Sequence, residues 1–257
     1  MLRKTMNGVM LEELSIVFRK KIESIKLEID HRFPWYPYPI LSNLPNLTSI
    51  FDKHPLDELV GPSNKTLDIG AADGDLAFFL ESLGFRADII DFPPTNYNHL
   101  KGAKLLKEKL NSGINIYERD LDSQFPIPDE KYGLIFFLGI LYHLKNPYYV
   151  LETLSHTTKN LIINTRIAKY AKKQGRNLLR KGPRIADLPV AYLLAPDESN
   201  NDSTNYWIFS MKGLERIFER TGWRITEIYS VGDTINSNPS DRDHDERVCA
   251  LLNSKNV

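Results

Sequence analysis

The chain has 257 residues, 33 basic and 33 acidic, so its formal charge at pH 7 is zero, and 42% of its residues are hydrophobic. That balance excludes a global field drawing the protein to nucleic acid or to an anionic membrane, and the length fits one large domain with additions better than two equal ones. The first ten residues are too polar for a secretory core, no apolar run reaches spanning length, and the single cysteine, Cys249, cannot close an internal disulfide. The expectation is a cytoplasmic protein with no membrane partner.

Leu11, Leu14, Phe18, Ile22, Ile25 and Ile29 recur at steps of three and four, which predicts an amphipathic helix with Glu12, Arg19, Lys20, Glu23 and Lys26 on its other face. The helix must end before Phe33, Pro34, Trp35, Tyr36, Pro37, Tyr38 and Pro39, because the prolines remove backbone donors and clash with a helical turn. Residues 1–62 thus precede the main domain, 63–257. Two readings stay open: aromatics filling the seam where the helix packs, or a lid in which Trp35, Tyr36 and Tyr38 wall a substrate pocket.

Residues 66–69 read as a short strand that breaks into Gly70, Ala71, Ala72, Asp73, Gly74 and Asp75, and a helical pattern (Leu76, Phe79, Leu80, Leu83) follows at once. A glycine-containing turn there lets the backbone approach a ligand closely. The next apolar run ends in Asp91, placed to accept hydrogen bonds from both hydroxyls of a ribose. The pattern predicts a nucleoside-cofactor site. A dinucleotide fingerprint would need glycine where Ala72 and Asp75 stand, and Asp73 and Asp75 would repel a pyrophosphate. An acidic turn suits a cationic ligand without phosphates, which describes S-adenosylmethionine.

At these residues the chain resembles the class I S-adenosylmethionine-dependent methyltransferases, whose first motif runs Asp-x-Gly-x-Gly-x-Gly. Here it reads Asp68-Ile69-Gly70-Ala71-Ala72-Asp73-Gly74, with Ala72 in place of the middle glycine. The resemblance implies an α/β, Rossmann-like fold: a mostly parallel seven-stranded sheet with helices on both faces, plus the N-terminal helical lid. It implies cofactor contacts from Asp68, Gly70, Ala71, Ala72, Gly74, Asp91 and Phe92.

A third strand is predicted over 114–121; by the resemblance, Asp120 would accept from the adenine amino group and Leu121 would pack on the ring. The fourth strand, 134–142, is apolar enough to be covered on both faces. The resemblance places Leu138, Gly139 and Tyr142 beside the cofactor. A helix over 148–156 and a fifth strand over 161–164 follow. Gly139, Leu141, Tyr142 and His143 also resemble the Gly-x-Leu-Tyr-His segment of the tRNA wobble-uridine carboxymethyltransferases, which hold a carboxylated donor with a cation. The region around Trp35 lacks the Lys-Trp pair of those enzymes, so ordinary methyl transfer is expected and the carboxylated donor is the alternative.

An insertion at about 167–205 carries the one local charge imbalance. Arg166, Lys169, Lys172, Lys173, Arg176, Arg180, Lys181 and Arg184 occur with no acid between them, and five of these bases share a face if the segment is helical. It could engage phosphate, of RNA among others, through 166–184, or be a solvated segment. The tail then reads as a helix over 211–221 capped by Gly222, a strand over 223–231, and a last strand over 246–253. The loop of Asp241, Arg242, Asp243, His244 and Asp245 reads as solvated charge, with no metal expected.

Methyl transfer from a sulfonium needs orientation and, for a hydroxyl acceptor, a base. His143, whose imidazole ordinarily titrates at about 6.5, and its neighbour Tyr142 are the catalytic candidates. Asn205, Tyr206 and Trp207 are candidates for holding the acceptor, Tyr206 and Trp207 by stacking and Asn205 by orienting it. The expected function is methyl transfer from S-adenosylmethionine to a hydroxyl or amine of a small or medium-sized metabolite. The alternatives are a tRNA-modifying enzyme using Lys172, Lys173, Arg176 and Arg180 on phosphate, and a non-catalytic cofactor-binding partner protein. The oligomeric state is left open.

Overall fold

The three-four periodicity near the N-terminus becomes helix α1 (Gly8–Ile29), with Leu11, Phe18 and Ile22 buried. The Phe18 ring lies 5.6 Å from that of Phe79. The computed structural model describes residues 5–29, 32–123, 127, 131–172, 182–240 and 242–257. They divide into two units, 1–138 with 157–161 and 139–156 with 162–257.

In the first unit, α1 is followed by the prolyl segment, a 3₁₀ stretch (Ile40–Leu47) and the short helices α2 (Thr48–Lys53) and α3 (Leu56–Val60). Then come β1 (Lys65–Ile69), α4 (Asp75–Ser82), β2 (Arg86–Asp91), α5 (Lys101–Leu110), β3 (Asn115–Glu118) and β4 (Tyr132–Leu138). The strands lie in the order β3-β2-β1-β4, all parallel. This is the doubly wound pattern expected of alternating strands and helices. Leu67, Ile69, Ile89, Ile90, Leu134, Ile135, Phe136 and Phe137 are fully buried, as strands covered on both faces require. The register pairs Ile69 with Ile90 and with Phe137, and Asp91 with Glu118, so the strands' carboxyl ends share one edge. Buried Asp88 is matched by Lys65 at 2.8 Å and by the Tyr132 hydroxyl at 2.9 Å.

The second unit contains α6 (Pro147–Ser155), β6 (Ala191–Leu193), β7 (Trp207–Phe209), α7 (Met211–Arg220), β8 (Trp223–Gly232) and β9 (Glu246–Ser254). Strand β5 (Thr158–Ile167) begins in the first unit and ends in the second. β7 pairs parallel with β5 and antiparallel with β6, while β9 pairs with β5 and antiparallel with β8. Ser210 caps α7, its hydroxyl accepting from the Gly213 N–H at 2.9 Å.

Three expectations are corrected. The fourth strand stops at Leu138 rather than at residue 142, because Gly139 takes φ = +79° and the next residues, Leu141–His143, form a 3₁₀ turn. Nine strands, not seven, occur among the described residues, the extra pair β6 and β7 arising at the insertion, where three-residue strands leave no periodic signal. The basic face is not helical where it is described: Tyr170 forms an antiparallel bridge with Arg184, and residues 169, 171 and 172 are irregular. Lys173, Arg176, Arg180 and Lys181 lie outside the described residues. Lys169 sits 3.7 Å from Glu246, Lys172 3.5 Å from Glu198 and Arg184 2.8 Å from Asp187. In the acidic loop His244 pairs with Asp233, and Asp245 pairs with Arg166 and, at 2.9 Å, with Arg247.

Candidate functional site

In the first unit the turn after β1 is built on left-handed backbone, with Gly70 at φ = +72°, Ala72 at +55° and Gly74 at +82°. Ala72 is the non-glycine among them, and its Cβ makes that conformation costly by about 1–2 kcal/mol. Asp91 holds it in place. One Asp91 oxygen accepts from the Ala72 N–H at 3.0 Å and from Asn96 Nδ2 at 3.1 Å, and the other accepts from the Phe92 N–H at 2.7 Å. Burial pushes the Asp91 carboxyl up to about 6, against the opposing pull of those three donors. Asn96 also donates to the Ala72 carbonyl at 3.3 Å and caps the following turn through the N–H groups of Asn98 and Leu100.

Asp68, one residue before β1 ends at Ile69, is 1% exposed; among the described residues no side chain pairs with its carboxylate, and the Ala77 backbone N–H is the donor that acts on it. Burial first, then the charges of Asp75 and Asp91, push its carboxyl well above the ordinary range. A buried carboxylate with so little donation is costly, and a cationic donor entering beside the turn would satisfy it. Asp120 and Leu121 follow β3 on the same edge, where the Arg119 N–H donates to the Asp91 carbonyl at 3.0 Å. Asp120 accepts from the Asp122 N–H at 3.0 Å, and Leu121 is buried. Leu138, also buried, ends β4 next to β1.

Asp73 and Asp75, which the sequence reading turned toward a cationic ligand, are instead taken by the chain itself. Asp73 accepts from Lys26 Nζ at 2.7 Å, the Tyr36 N–H at 2.9 Å and Asn98 Nδ2 at 2.7 Å. Asp75 accepts from the Ile40 and Leu41 N–H groups at 3.1 and 2.8 Å, so a carboxylate on α4 caps the 3₁₀ stretch that begins there. Burial pushes the Asp75 carboxyl up to about 6 despite those donors. Trp35 packs on the Lys26 ammonium at 4.8 Å and Tyr36 meets Tyr97 edge-on at 5.9 Å, while Tyr38 is 65% exposed. Only Asp68 among the acids of this motif is left for a cation.

In the second unit Gly139 donates its N–H to the Asn164 carbonyl at 2.8 Å, and the turn that follows carries Tyr142 and His143 with ring centroids 4.4 Å apart. Tyr142 is buried against Ala168, Ile185, Leu194 and Ile208, with the Arg247 guanidinium 5.9 Å from its ring. The Tyr206 N–H donates to the Tyr142 carbonyl at 2.8 Å, which fixes the segment holding Asn205, Tyr206 and Trp207 beside the turn. Asn205 is buried; its amide donates to the Ser199 carbonyl at 3.1 Å and its Oδ1 has no partner. Tyr206 packs on the Lys145 ammonium at 5.8 Å, and the buried Trp207 Nε1 has no partner.

His143 Nδ1 lies 3.1 Å from the Thr204 carbonyl and 2.9 Å from its hydroxyl. A carbonyl oxygen only accepts, which puts the proton on Nδ1 and the free lone pair on Nε2. Burial lowers the pKa of His143 against the pull of Asp202 and the Thr204 backbone, with Arg247 acting in the same direction as burial, which favours the neutral ring. Sequence reasoning missed Lys26 as a partner of the motif, and it missed Asn96, Asn98, Asp202, Thr204 and Arg247. Each reaches its partner through the fold, and none carries a local signal.

A family model described as methyltransferase domain matches residues 41–228. By sequence the chain matches no curated protein. Among solved structures it is similar to the N-terminal domain of EvdMO1 with SAH bound, at 11% identity and a TM-score of 0.58 over 88% of this chain and 84% of that one. It is also similar to the PH0226 protein from Pyrococcus horikoshii OT3, at 16% identity and 0.56 over 83% and 90%. A third, the [4+2]-cyclase SpnF, matches at 12% identity and 0.52 over 74% and 75%. Identities this low establish the Rossmann-like fold alone, and the cyclase is a reminder that function is argued from the residues.

Proposed function

The chain belongs to the methyltransferase domain family, its cofactor is S-adenosylmethionine, and on that premise we propose that it methylates a hydroxyl or amine of a small or medium-sized acceptor. The observation that carries the cofactor assignment is Asp68, a buried carboxylate next to the glycine turn that no side chain among the described residues pairs with. In this reading Asp68 accepts from the cofactor's ammonium group, and the 70–74 turn gives it room. Asp91 already spends three of its roughly four acceptor lone pairs on Ala72, Asn96 and Phe92, and the one left, on the oxygen that Phe92 contacts, accepts from a ribose hydroxyl. Asp120 takes the adenine amino group and Leu121 packs on the ring; Phe92, Leu138, Gly139 and Tyr142 are assigned to the cofactor by the resemblance.

When bound, the cofactor supplies an already activated methyl group, so the protein's share is orientation and proton handling. His143 is the proposed base: its neutral ring presents a free Nε2 lone pair to an acceptor O–H. Asn205, with an unsatisfied buried Oδ1, and the rings of Tyr206 and Trp207 are proposed to receive the acceptor. Trp35, Tyr36 and Tyr38 are assigned to the N-terminal lid.

The test is a screen of hydroxylated and aminated metabolites, with bulk tRNA included, scored by S-adenosylhomocysteine released. Turnover on a small acceptor, lost in His143→Gln while cofactor binding persists, is expected. Turnover confined to tRNA would overturn the acceptor class, and full activity in His143→Gln would remove the base.

A further inference from the structure

We propose that Asp202 and Thr204 are positioning residues for His143: Asp202 orients the Thr204 hydroxyl, which receives the Nδ1 proton and leaves Nε2 free to act. The proposal rests on the reading of His143 as the base. Its geometry is a chain of three side chains within one unit. The Thr204 hydroxyl donates to Asp202 Oδ1 at 2.6 Å, so its lone pairs turn to His143 Nδ1 at 2.9 Å. The Thr204 carbonyl takes the same Nδ1–H at 3.1 Å. With two acceptors on Nδ1, the other tautomer would lose both bonds and set an Nδ1 lone pair against a carbonyl oxygen.

The loop that delivers these groups is itself held. Asp202 Oδ1 accepts the Thr204 N–H at 2.9 Å, and the Asn205 N–H donates to the Asp202 carbonyl at 3.2 Å. The Tyr206 N–H donates to the Tyr142 carbonyl at 2.8 Å, one residue from His143. A segment that reads as an insertion in the sequence therefore ends by gripping both residues of the candidate catalytic pair.

In the transfer, the acceptor's O–H proton goes to Nε2 and the oxygen's electron pair forms the bond to the methyl carbon. The carbon–sulfur bond breaks with its pair staying on sulfur. His143 becomes an imidazolium, and the Asp202 carboxylate, reached through Thr204, favours that charge. Besides Thr204, the titratable or charged groups that face the ring among the described residues are Asp202 from the loop, Arg247 from β9, and Tyr142 beside it. Arg247 opposes the positive charge and Asp202 supports it, so removing either moves the titration in a known direction.

The experiment is imidazole ¹⁵N spectroscopy of the full chain, in which His143→Gln identifies the signal among the six histidines. Wild type is expected to show Nδ1 protonated and Nε2 bare. Thr204→Val should raise the Nε2–H tautomer, and Thr204→Ser, which keeps the hydroxyl, should restore the original pattern. Asp202→Asn should lower the titration midpoint and move the acidic limb of the turnover–pH profile with it. An Nε2–H tautomer in wild type, or spectra and midpoint unmoved in Thr204→Val and Asp202→Asn, would overturn the positioning role. Undiminished turnover in His143→Gln would overturn it on the separate ground that there is no base to position.

Discussion

Replacing Lys26 with methionine should loosen the N-terminal segment from the motif turn. Lys26 and Asp73 meet at 2.7 Å with exposures of 16% and 2%, so the pair is nearly dry. Breaking a buried pair from one side costs about 3–5 kcal/mol, because a charge is left without its partner. Here Asp73 keeps the Tyr36 N–H and Asn98 Nδ2, each a charge-assisted bond, which brings the expected loss to about 2–3 kcal/mol. Methionine preserves the apolar stem against Trp35 while removing the ammonium that sits 4.8 Å from its ring. For a chain of this size the loss corresponds to a fall in Tm of about 4–12 °C. Adding Asp73→Asn to Lys26→Met should recover more than half of it, since the stranded charge is gone. Thermal unfolding with amide exchange at Tyr36 reads both effects. A Tm within about 1 °C of wild type, with Tyr36 exchange unchanged, would refute the reasoning that this ion pair holds the segment on the turn.

Ala72→Gly should stabilise the protein by about 1 kcal/mol, because φ = +55° is strained for alanine; a lower Tm would contradict this. Gly102→Ala should destabilise by about 1–3 kcal/mol despite alanine's better helix propensity, since its Cβ would fall 2.1 Å from Asp73 Oδ1; a neutral result in denaturant unfolding would refute the close fit. Cofactor affinity should be flat above pH 6 and fall below it as Asp91, titrating at about 6, loses its charge; an affinity that holds unchanged to pH 5 would be inconsistent with a ribose-binding carboxylate. Without cofactor the sign reverses: Asp75 and Asp91 titrate above their ordinary value when folded, so their contribution to stability declines as pH rises from about 4 to 6.

The first unit was legible wherever the information is local. The β1–turn–α4–β2 sequence and the placing of Asp91 at a strand end follow from apolar runs, punctuating glycines and a carboxylate at the right distance. The two acids in the turn were misread for the same reason. The partners of Asp73, Lys26 and Tyr36, lie 47 and 37 residues upstream, and those of Asp75, the Ile40 and Leu41 N–H groups, lie 35 and 34; nothing local shows that a helix face and a prolyl segment will return to them. Strand β4 was overrun because residues 134–142 are apolar throughout, and only the backbone of Gly139 shows where extension ends. The grip of Thr204 on His143, across 61 residues, leaves no periodicity at either end.

The central claim is that the turn and Asp91 hold S-adenosylmethionine. Calorimetric titration of S-adenosylmethionine and S-adenosylhomocysteine into wild type and Asp91→Ala, with a matching check of folding by Tm, tests it most directly. Micromolar binding to wild type and a loss of tenfold or more, about 1.4 kcal/mol, in a folded mutant are expected. Equal affinity in the two proteins, or no binding of either nucleoside to wild type, would contradict it.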